Sequence, residues 1–314
     1  MKASQIKSAL SSLIGSEQSV LVWGSSGLGK SSVIREFADE QDLEIVSLRE
    51  IGTEVMDLKE LLSLLPKEGK GILFLDELYT MPAQMKTFTY ELIANRGIGK
   101  YSLPESYSIV ATESDKNTSE VLPANISNHL IHLQMHADSD EWKKWAFSEG
   151  IDERVIAYIS YKNEALCSFD ASLKADVFAS PRSWKSVSDI LRSDMDEKLL
   201  LEVLAGTIGK ELATSFLSFS EAAYKLPDIE GILQDAKAEY PSEEDILHML
   251  SCVLVSFLLK YSNEENLENV LKYIMDLKPE FSMMIVQDLQ GSGLSLQESK
   301  NFSAWMAKFT DLLV

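Results

Sequence analysis

Cysteine is scarce in this chain of 314 residues, which contains only Cys167 and Cys252. Two isolated thiols are too few for a disulfide framework or a cysteine-based metal site. We therefore interpret both as small, buried, hydrophobic side chains. Their scarcity is consistent with a reducing compartment.

Basic residues are also few, because 29 lysines and arginines stand against 49 acidic residues and give a formal net charge of −20. An acidic surface repels phosphate backbones, so the composition disfavours general nucleic-acid binding. Composition leaves room for a local basic patch. The more common consequence of such a charge is solubility.

A long apolar run is missing as well. The most apolar stretch, Leu247 to Leu259, has about 13 residues, whereas a membrane-spanning helix needs about 20. The N-terminal segment Met1 to Ile6 lacks the apolar core and small-residue cleavage site of a signal peptide. We expect a cytoplasmic protein with no membrane association.

The clearest signal that is present is an alternation of apolar runs and amphipathic segments up to about residue 136. Short apolar runs predict buried parallel strands, and helical periodicity marks the segments between them. The predicted strands are 19–23, 43–48, 71–75, 108–112 and 130–135, and the predicted helices are 4–14, 30–40, 55–65 and 84–95, with a hairpin over 97–107. Only helices are predicted after residue 140. The pattern is that of an α/β fold, a parallel sheet flanked by helices, followed by an all-α region.

A phosphate-binding loop is predicted where the first strand meets the next helix. The sequence Gly24-Ser25-Ser26-Gly27-Leu28-Gly29-Lys30-Ser31 fits the pattern G-x-x-x-x-G-K-[ST], and we include Ser32 in the loop. Glycines let backbone N–H groups face phosphate oxygens, and the helix directs the positive end of its dipole at them. Lys30 is expected to reach the β and γ phosphates, and the Ser31 hydroxyl to bind Mg²⁺. The flanking strand and helix disfavour a chance match.

An acidic pair, Asp76-Glu77, ends a later apolar strand, about 45 residues after the lysine of the loop. In P-loop enzymes a carboxylate at this place holds Mg²⁺, usually through water, and a second one can polarise the attacking water as a general base. A solvated strand end would also carry such charges, but the upstream loop favours the functional interpretation. The second acid favours an ATPase over a nucleotide kinase.

Several segments resemble those of MoxR-like AAA+ ATPases. Residues 71–78, GILFLDEL, resemble that family's Walker B motif. Further similar segments are the helix 82–96, the hairpin 97–104, the arginine-finger segment 122–133, the start of the small helical domain at 140–151 and the sensor-2 motif Ser180-Pro181-Arg182-Ser183-Trp184. The resemblance covers about residues 1 to 220, and the remaining residues match no family that we can name.

The resemblance implies a hexameric ring of identical chains with ATP at the subunit interfaces. It also implies a chaperone-like remodelling role, often with a partner that carries a von Willebrand factor A domain. With these expectations we predict three domains: an AAA+ nucleotide-binding core over 1–137, a small helical lid over 138–220 and a helical extension over 221–314. Arg182, at the sensor-2 position, is expected to contact the γ phosphate.

Two positions depart from the family pattern. The family's sensor-1 strand is usually followed by Gly-Asn, whereas this chain has Ala111-Thr112-Glu113-Ser114. Thr112 is a candidate hydrogen-bond donor to the lytic water, although a strand-end threonine without a role fits equally well. Glu113 would add negative charge beside the γ phosphate.

The second departure is His129, which stands where the family has its arginine finger. A histidine is mostly neutral at pH 7 and reaches less far than an arginine, which offers a permanent charge and a planar fork. Either another residue supplies the finger or hydrolysis is weak. Arg96 is a candidate substitute, but a solvated helix end is the simpler interpretation of it.

Two functional hypotheses follow. The first is an ATP-hydrolysing AAA+ remodelling ATPase that works as a ring on a protein partner. The second is an ATP-gated scaffold or switch with weak or no hydrolysis, which the altered sensor-1 and finger positions favour.

Overall fold

The computed structural model describes residues 1–48, 62, 65, 70–114, 122–169 and 176–310. Most of the helix predicted over 55–65 lies outside these residues. The chain forms two compact units. The first contains Met1–Asp138 and Phe169, and the second contains Ser139–Ser168 and the described residues from Asp176 onward.

A parallel sheet forms the centre of the first unit. Its strands are β1 (Ser19–Gly24), β2 (Glu44–Ser47), β3 (Gly71–Leu75), β6 (Tyr107–Ser114) and β7 (Leu130–Gln134). A separate antiparallel hairpin of β4 (Gly97–Ile98) and β5 (Tyr101–Ser102) lies between β3 and β6 in the chain. The five strands of the sheet are ordered β2-β3-β6-β1-β7, and all neighbours run parallel. Their carboxyl ends therefore meet at one edge, where open α/β sheets bind ligands.

Helices cover both faces of this sheet. The helices of the first unit are α1 (Ala3–Leu13), α2 (Lys30–Glu40), α3 (Ala83–Asn95) and α4 (Ala124–Ser127), with a 3-10 turn at Leu78–Thr80. Side chains alternate between the two faces along a strand. Val20 and Val22 of β1 accordingly pack with α1 and α2, whereas Leu21 packs in the cluster that contains Leu92 of α3.

The predicted fold class is confirmed: a parallel five-stranded sheet is flanked by helices and followed by a helical region. The helix predicted over 30–40 has the same bounds in the structure. The strand predicted over 43–48 is shorter, Glu44–Ser47, and the predicted hairpin pairs only two residues on each side.

Helices alone make up the regular structure of the described part of the second unit. They are α5 (Ser139–Ser148), α6 (Glu153–Tyr161), α7 (Pro181–Ile190), α8 (Glu197–Ile208), α9 (Lys210–Ser220), α10 (Ile229–Asp235), α11 (Glu244–Tyr261), α12 (Glu264–Ile274), α13 (Pro279–Gly291) and α14 (Lys300–Phe309), with 3-10 turns at Asn163–Leu166 and Glu221–Lys225. No described helix is long and apolar enough to cross a membrane.

One hydrophobic core joins the helices of the second unit. It contains Tyr158, Trp184 and Phe216, whose rings lie 5.5–5.7 Å apart, and it continues to Phe309. Residues on both sides of position 220 contribute to this core, and the division into three domains stays a prediction. Cys252 is buried as predicted, whereas Cys167 is only half-buried.

Candidate functional site

The glycine-rich loop lies between the end of β1 and the start of α2. Gly27 and Gly29 have φ values of 81° and 90°, in the left-handed region that side chains with a Cβ rarely adopt. Gly29 directly precedes α2 as its N-cap residue. The loop therefore ends at a helix N-terminus, where the first N–H groups have no partner within the helix.

Gly24 is required for a different reason. A Cβ atom at this position would lie 2.9 Å from the carbonyl oxygen of Met135 and 2.9 Å from Cδ1 of Leu28. The carbonyl belongs to the backbone and cannot move aside as a flexible side chain would. Only glycine fits between the loop and the end of β7 without a shift of the backbone.

The Lys30 side chain is held within the loop. The residue is 8% exposed, and its Nζ donates to the carbonyl oxygens of Gly24, at 2.6 Å, and Ser25, at 2.9 Å. A buried ammonium needs such partners because burial without them is costly. The bonds fix the positive charge at the loop.

Two hydroxyls from different elements converge on one oxygen of Asp76, the residue that directly follows β3. The Ser31 hydroxyl, in the first turn of α2, donates to Oδ1 of Asp76 at 2.8 Å. The Thr112 hydroxyl, on β6, donates to the same atom at 2.6 Å. The parallel sheet brings these residues together although they are far apart in sequence.

Ser31 and Asp76 have the donor atoms that suit Mg²⁺. A hydroxyl and a carboxylate are hard oxygen ligands, and magnesium binds them about 2.1 Å away in an octahedron, so neighbouring ligands lie about 3 Å apart. The oxygen pair of Ser31 and Asp76, separated by 2.8 Å, fits this spacing. Magnesium in P-loop sites also binds phosphate oxygens and water, so two protein ligands are enough.

Glu77 adopts a left-handed backbone conformation with a φ of 54°. This conformation costs a residue with a Cβ about 1 kcal/mol or more. Hydrogen bonds hold it on both sides: the Glu77 N–H donates to Oγ1 of Thr112 at 3.1 Å, and the Glu77 carbonyl accepts from N–H and Oγ1 of Thr80 at 2.9 and 3.0 Å. The general-base candidate thus lies in a strained but well-bonded turn.

Thr112 is fully buried and links the two acidic residues. Its oxygen accepts from the Glu77 N–H, and its only hydroxyl hydrogen points to Asp76. A hydroxyl has one hydrogen to donate. In this arrangement Thr112 positions the acidic pair, and a donation to the lytic water would need a different orientation of the hydroxyl.

Glu113 is an additional residue of the site to which the sequence pattern assigned no positive role. It is 3% exposed; its Oε2 accepts from the Tyr79 N–H at 2.5 Å and its Oε1 from the Ser114 N–H at 2.8 Å. Burial raises the pKa of its carboxyl group, and nearby Glu77 also raises it, whereas these N–H donors and Lys30 lower it. The only signal in the sequence is an acid at the end of an otherwise apolar strand.

The two candidates for the arginine finger, Arg96 and His129, lie in different environments. Arg96 is half-buried, and its guanidinium donates to the carbonyl oxygens of Tyr107 at 2.6 Å and Glu17 at 3.4 Å, so the solvated helix end expected from the sequence is wrong. Burial lowers its pKa from the ordinary arginine value. His129 lies exposed in the turn before β7.

Arg182 belongs to the second unit, at the second position of α7, and is exposed. The helix begins with Ser180 as its cap, whose Oγ accepts from the Ser183 N–H at 3.2 Å, and with Pro181 in the first turn. Trp184 anchors the same helix by donating to the Ala165 carbonyl at 2.8 Å. The contact of Arg182 with a γ phosphate stays a prediction.

A family model matches residues 20–122, about a third of the chain. Its description is "ATPase family associated with various cellular activities (AAA)". The matched segment includes the loop, the acidic pair and Thr112. No curated protein sequence matches the chain.

Solved structures to which the chain is similar include a point mutant of RuvB from Thermotoga maritima, with a TM-score of 0.42 and 16% identity, over 84% of this chain and 87% of that one. Another is NtrX from Brucella abortus in complex with ATP, with a TM-score of 0.39 and 14% identity, over 99% of this chain and 68% of that one. A further RuvB structure from Thermotoga maritima is described as a Holliday junction branch migration motor and has a TM-score of 0.39 and 16% identity over 84% of this chain and 85% of that one.

Proposed function

We propose that this chain binds ATP with Mg²⁺ at the loop Gly24–Ser32 and hydrolyses it, as an AAA+ ATPase of the MoxR-like type. The observation that carries the proposal is the convergence of the Ser31 and Thr112 hydroxyls on one oxygen of Asp76, next to the loop that holds Lys30. The match of residues 20–122 to the AAA family supports it.

The loop would bind the β and γ phosphates. Backbone N–H groups around Gly27 and Gly29 and the start of α2 supply partial positive charge, and Lys30 supplies a full charge. Its ammonium would exchange the carbonyl oxygens of Gly24 and Ser25 for phosphate oxygens, which are charged and accept more strongly. Substrate binding would therefore loosen Lys30 from its own loop.

Ser31 and Asp76 would hold Mg²⁺, Asp76 directly or through water. When bound, the ion neutralises charge that develops on the phosphate oxygens. On binding, a lone pair of the Ser31 hydroxyl oxygen would face the ion, while Thr112 keeps its hydrogen bond to the Asp76 carboxylate. This arrangement keeps Asp76 oriented before and after the ion arrives.

Glu77 would act as the general base. Its neighbour Thr80 lies with Oγ1 at 3.4 Å from Oε2 of Glu77, which limits the directions open to the carboxylate. A base so placed would take a proton from the water that attacks the γ phosphorus, and the proton transfer itself contributes typically 10²- to 10⁴-fold. Thr112 would assist by fixing the backbone of Glu77.

Arg182 would add positive charge to the γ phosphate from the lid, which we place at 138–220, after the core 1–137 and before the extension 221–314. We further propose a cytoplasmic hexamer that remodels a protein partner, one with a von Willebrand factor A domain being the leading candidate. These finer assignments depend on the family resemblance of the segments around residues 71–104 and 180–184.

A second candidate function is an ATP-gated scaffold or switch with weak hydrolysis. It is favoured by His129 at the finger position and by the orientation of the Thr112 hydrogen toward Asp76. An arginine finger contributes 10³- to 10⁵-fold in related enzymes, so its replacement would make hydrolysis slow without impairing binding.

Steady-state phosphate release and equilibrium ATP binding test the proposal together. We expect wild type to hydrolyse ATP above background, Lys30→Ala to lose binding, and Glu77→Gln to bind ATP with little turnover. Glu149→Gln, an exposed acid of the second unit, is the matched control and should behave as wild type. Binding without turnover in wild type, alone and with a partner, would favour the switch. Equal binding by Lys30→Ala would contradict both functions.

A further inference from the structure

Glu113 joins two segments that are distant in sequence. Its carboxylate lies at the end of β6, and one oxygen accepts the Tyr79 N–H in the 3-10 turn that follows the acidic pair, while the other accepts the Ser114 N–H. Both oxygens are therefore used by the backbone. A nearly buried carboxylate is a costly choice for such a task unless the bonds to the charged form matter.

The turn that Glu113 holds is the one that places Glu77. Glu77 has a left-handed backbone, and such strain persists only where the surroundings over-determine it. Thr112 fixes the N–H of Glu77 itself, and Glu113 fixes the N–H two residues later, at Tyr79. Two consecutive residues of β6 thus hold the backbone of this turn at two places, the N–H of Glu77 and the N–H of Tyr79.

We propose that Glu113 is a positioning residue for hydrolysis: its carboxylate holds the 77–80 turn, and thereby Glu77, in the geometry needed to activate water. The proposal rests on the proposed ATPase function. In this role Glu113 does not contact the nucleotide. The negative charge of Glu113 is directed at the backbone N–H groups of Tyr79 and Ser114.

A carboxylate suits this role because it has two acceptor oxygens and no hydrogen to donate. Glutamine has a single acceptor oxygen, and its NH₂ group would face an N–H donor at the other position. Glu113→Gln should therefore keep only one of the two bonds. Glu113→Leu has a similar volume and keeps neither, so the two variants form a graded series.

Hydrogen exchange of the full-length chain, followed by mass spectrometry, measures whether Glu113 holds the turn. We expect amides in the peptide covering 77–80 to exchange at least roughly tenfold faster in Glu113→Leu than in wild type, because exchange reports local opening. Glu113→Gln should show a smaller increase at residue 79 or 114. Glu149→Gln, which removes an exposed charge in the other unit, should leave exchange unchanged in the peptide covering 77–80 and in the one that contains residue 114. Unchanged exchange in both Glu113 variants would overturn the proposal.

The kinetic arm uses the same proteins. We expect kcat to fall by roughly tenfold to a hundredfold in Glu113→Leu and less in Glu113→Gln, since a misplacement of about 1 Å can cost 10²-fold. KM for ATP and ATP affinity should stay within about twofold, because binding does not require the turn. A merely structural defect would lower the fraction of active molecules and the melting temperature. It would not produce a kcat that falls stepwise from Glu113→Gln to Glu113→Leu while KM stays constant.

The outcomes separate the two proposals. If wild type hydrolyses ATP and Glu77→Gln blocks it, but the Glu113 variants keep full kcat, only the role of Glu113 is overturned. If wild type shows no hydrolysis, the proposed ATPase function fails and the positioning role fails with it. If Glu113→Leu does not fold, Glu113→Gln alone decides: unchanged exchange or unchanged kcat in that variant overturns the proposal.

Discussion

At the scale of single residues, Oδ1 of Asp76 is the atom on which the account depends, because Ser31 and Thr112 both donate to it. These two hydrogen bonds orient the Asp76 carboxylate, and carboxylate oxygens are ligands that Mg²⁺ prefers. The same two hydroxyls come from different elements, α2 and β6. Removal of either hydroxyl should therefore change the position of Asp76 and the hydrogen bond that the other hydroxyl makes.

Thr112 gives a direct test at this scale. Thr112→Val keeps the shape but removes the bond to Asp76 and leaves the half-buried Glu77 N–H without its acceptor, which typically costs about 1 kcal/mol or more of stability. We expect kcat to fall at least roughly tenfold, since a loss of about 1.4 kcal/mol in the transition state corresponds to tenfold. Thr112→Ser should restore most of it. ATPase rates and urea unfolding measure both effects.

The control is Thr89→Val, because Thr89 is equally buried in α3 and its hydroxyl has a weak partner, the Met81 sulfur at 3.7 Å. This variant should hydrolyse ATP like wild type. The assignment of Thr112 would be contradicted if Thr112→Val retained wild-type kcat, or if Thr89→Val lost as much.

The sequence predicted the local part of the site and missed the long-range part. Lys30, Ser31 and Asp76 could be named because the chemistry of phosphate and magnesium needs those residue types beside a loop and a strand end. The bond from the Tyr79 N–H to Glu113 could not be foreseen, because it joins a side chain to a backbone group 34 positions away. The interpretation of Arg96 as a solvated helix end was wrong for the same reason, because the carbonyl groups that it contacts belong to residues 17 and 107.

At the scale of elements, the strands were predictable because the central ones are buried on both faces. All of β3 and β6 is buried, and the apolar runs within them are what buried parallel strands require. The strand β2 is only partly buried and ends earlier than its apolar run suggests. The hairpin β4–β5 is too short for periodicity to define its bounds, since each strand has two residues.

The helix α11 carries a prediction about pH. Burial, and secondarily the charge of Lys143, lowers the pKa of His248 from 6.5 to about 4. The ring lies 4.9 Å from that of Phe281 and 5.6 Å from that of Tyr161, centroid to centroid. The unfolded chain therefore binds a proton near pH 6.5 that the folded chain resists, and stability is lost as pH falls from about 6.5 toward 4.

We expect the melting temperature to fall between about pH 7.5 and pH 5, and to fall less in His248→Phe, which keeps an aromatic ring but cannot titrate. His129→Gln, at an exposed histidine of the first unit, should fall as wild type does. Calorimetry at the two pH values makes the comparison. An equal fall in wild type and His248→Phe would show that His248 does not contribute.

At the scale of the whole molecule, the two units differ in what the sequence reveals about them. The first has a motif at the ends of β1, β3 and β6, and its residues 20–122 match the AAA family model. The second has a continuous helical core whose packing could be expected from periodicity, but whose partner has no signature in the sequence. Residues of the first unit therefore carry most of the proposed function.

The proposed ring is a prediction at this scale. We expect light scattering to give the mass of about one chain without nucleotide and a larger, ring-sized mass with Mg²⁺ and a non-hydrolysable ATP analogue, because ligands that bind the assembled form favour assembly. Lys30→Ala should stay small under both conditions. A strict monomer in wild type under all conditions would contradict the ring. The proposal of ATP binding at the loop would be unaffected.

The central claim is that Glu77 activates water against ATP held by the loop, and a single-turnover experiment tests it most directly. With protein in excess over ATP and above the dissociation constant, nearly all the ATP is bound, so the observed rate reports the chemical step without multiple rounds of release. We predict that wild type and Glu77→Gln bind the same fraction of ATP and that Glu77→Gln cleaves it at least roughly a hundredfold more slowly, the lower range for loss of a general base. Equal cleavage rates at equal binding would contradict the account.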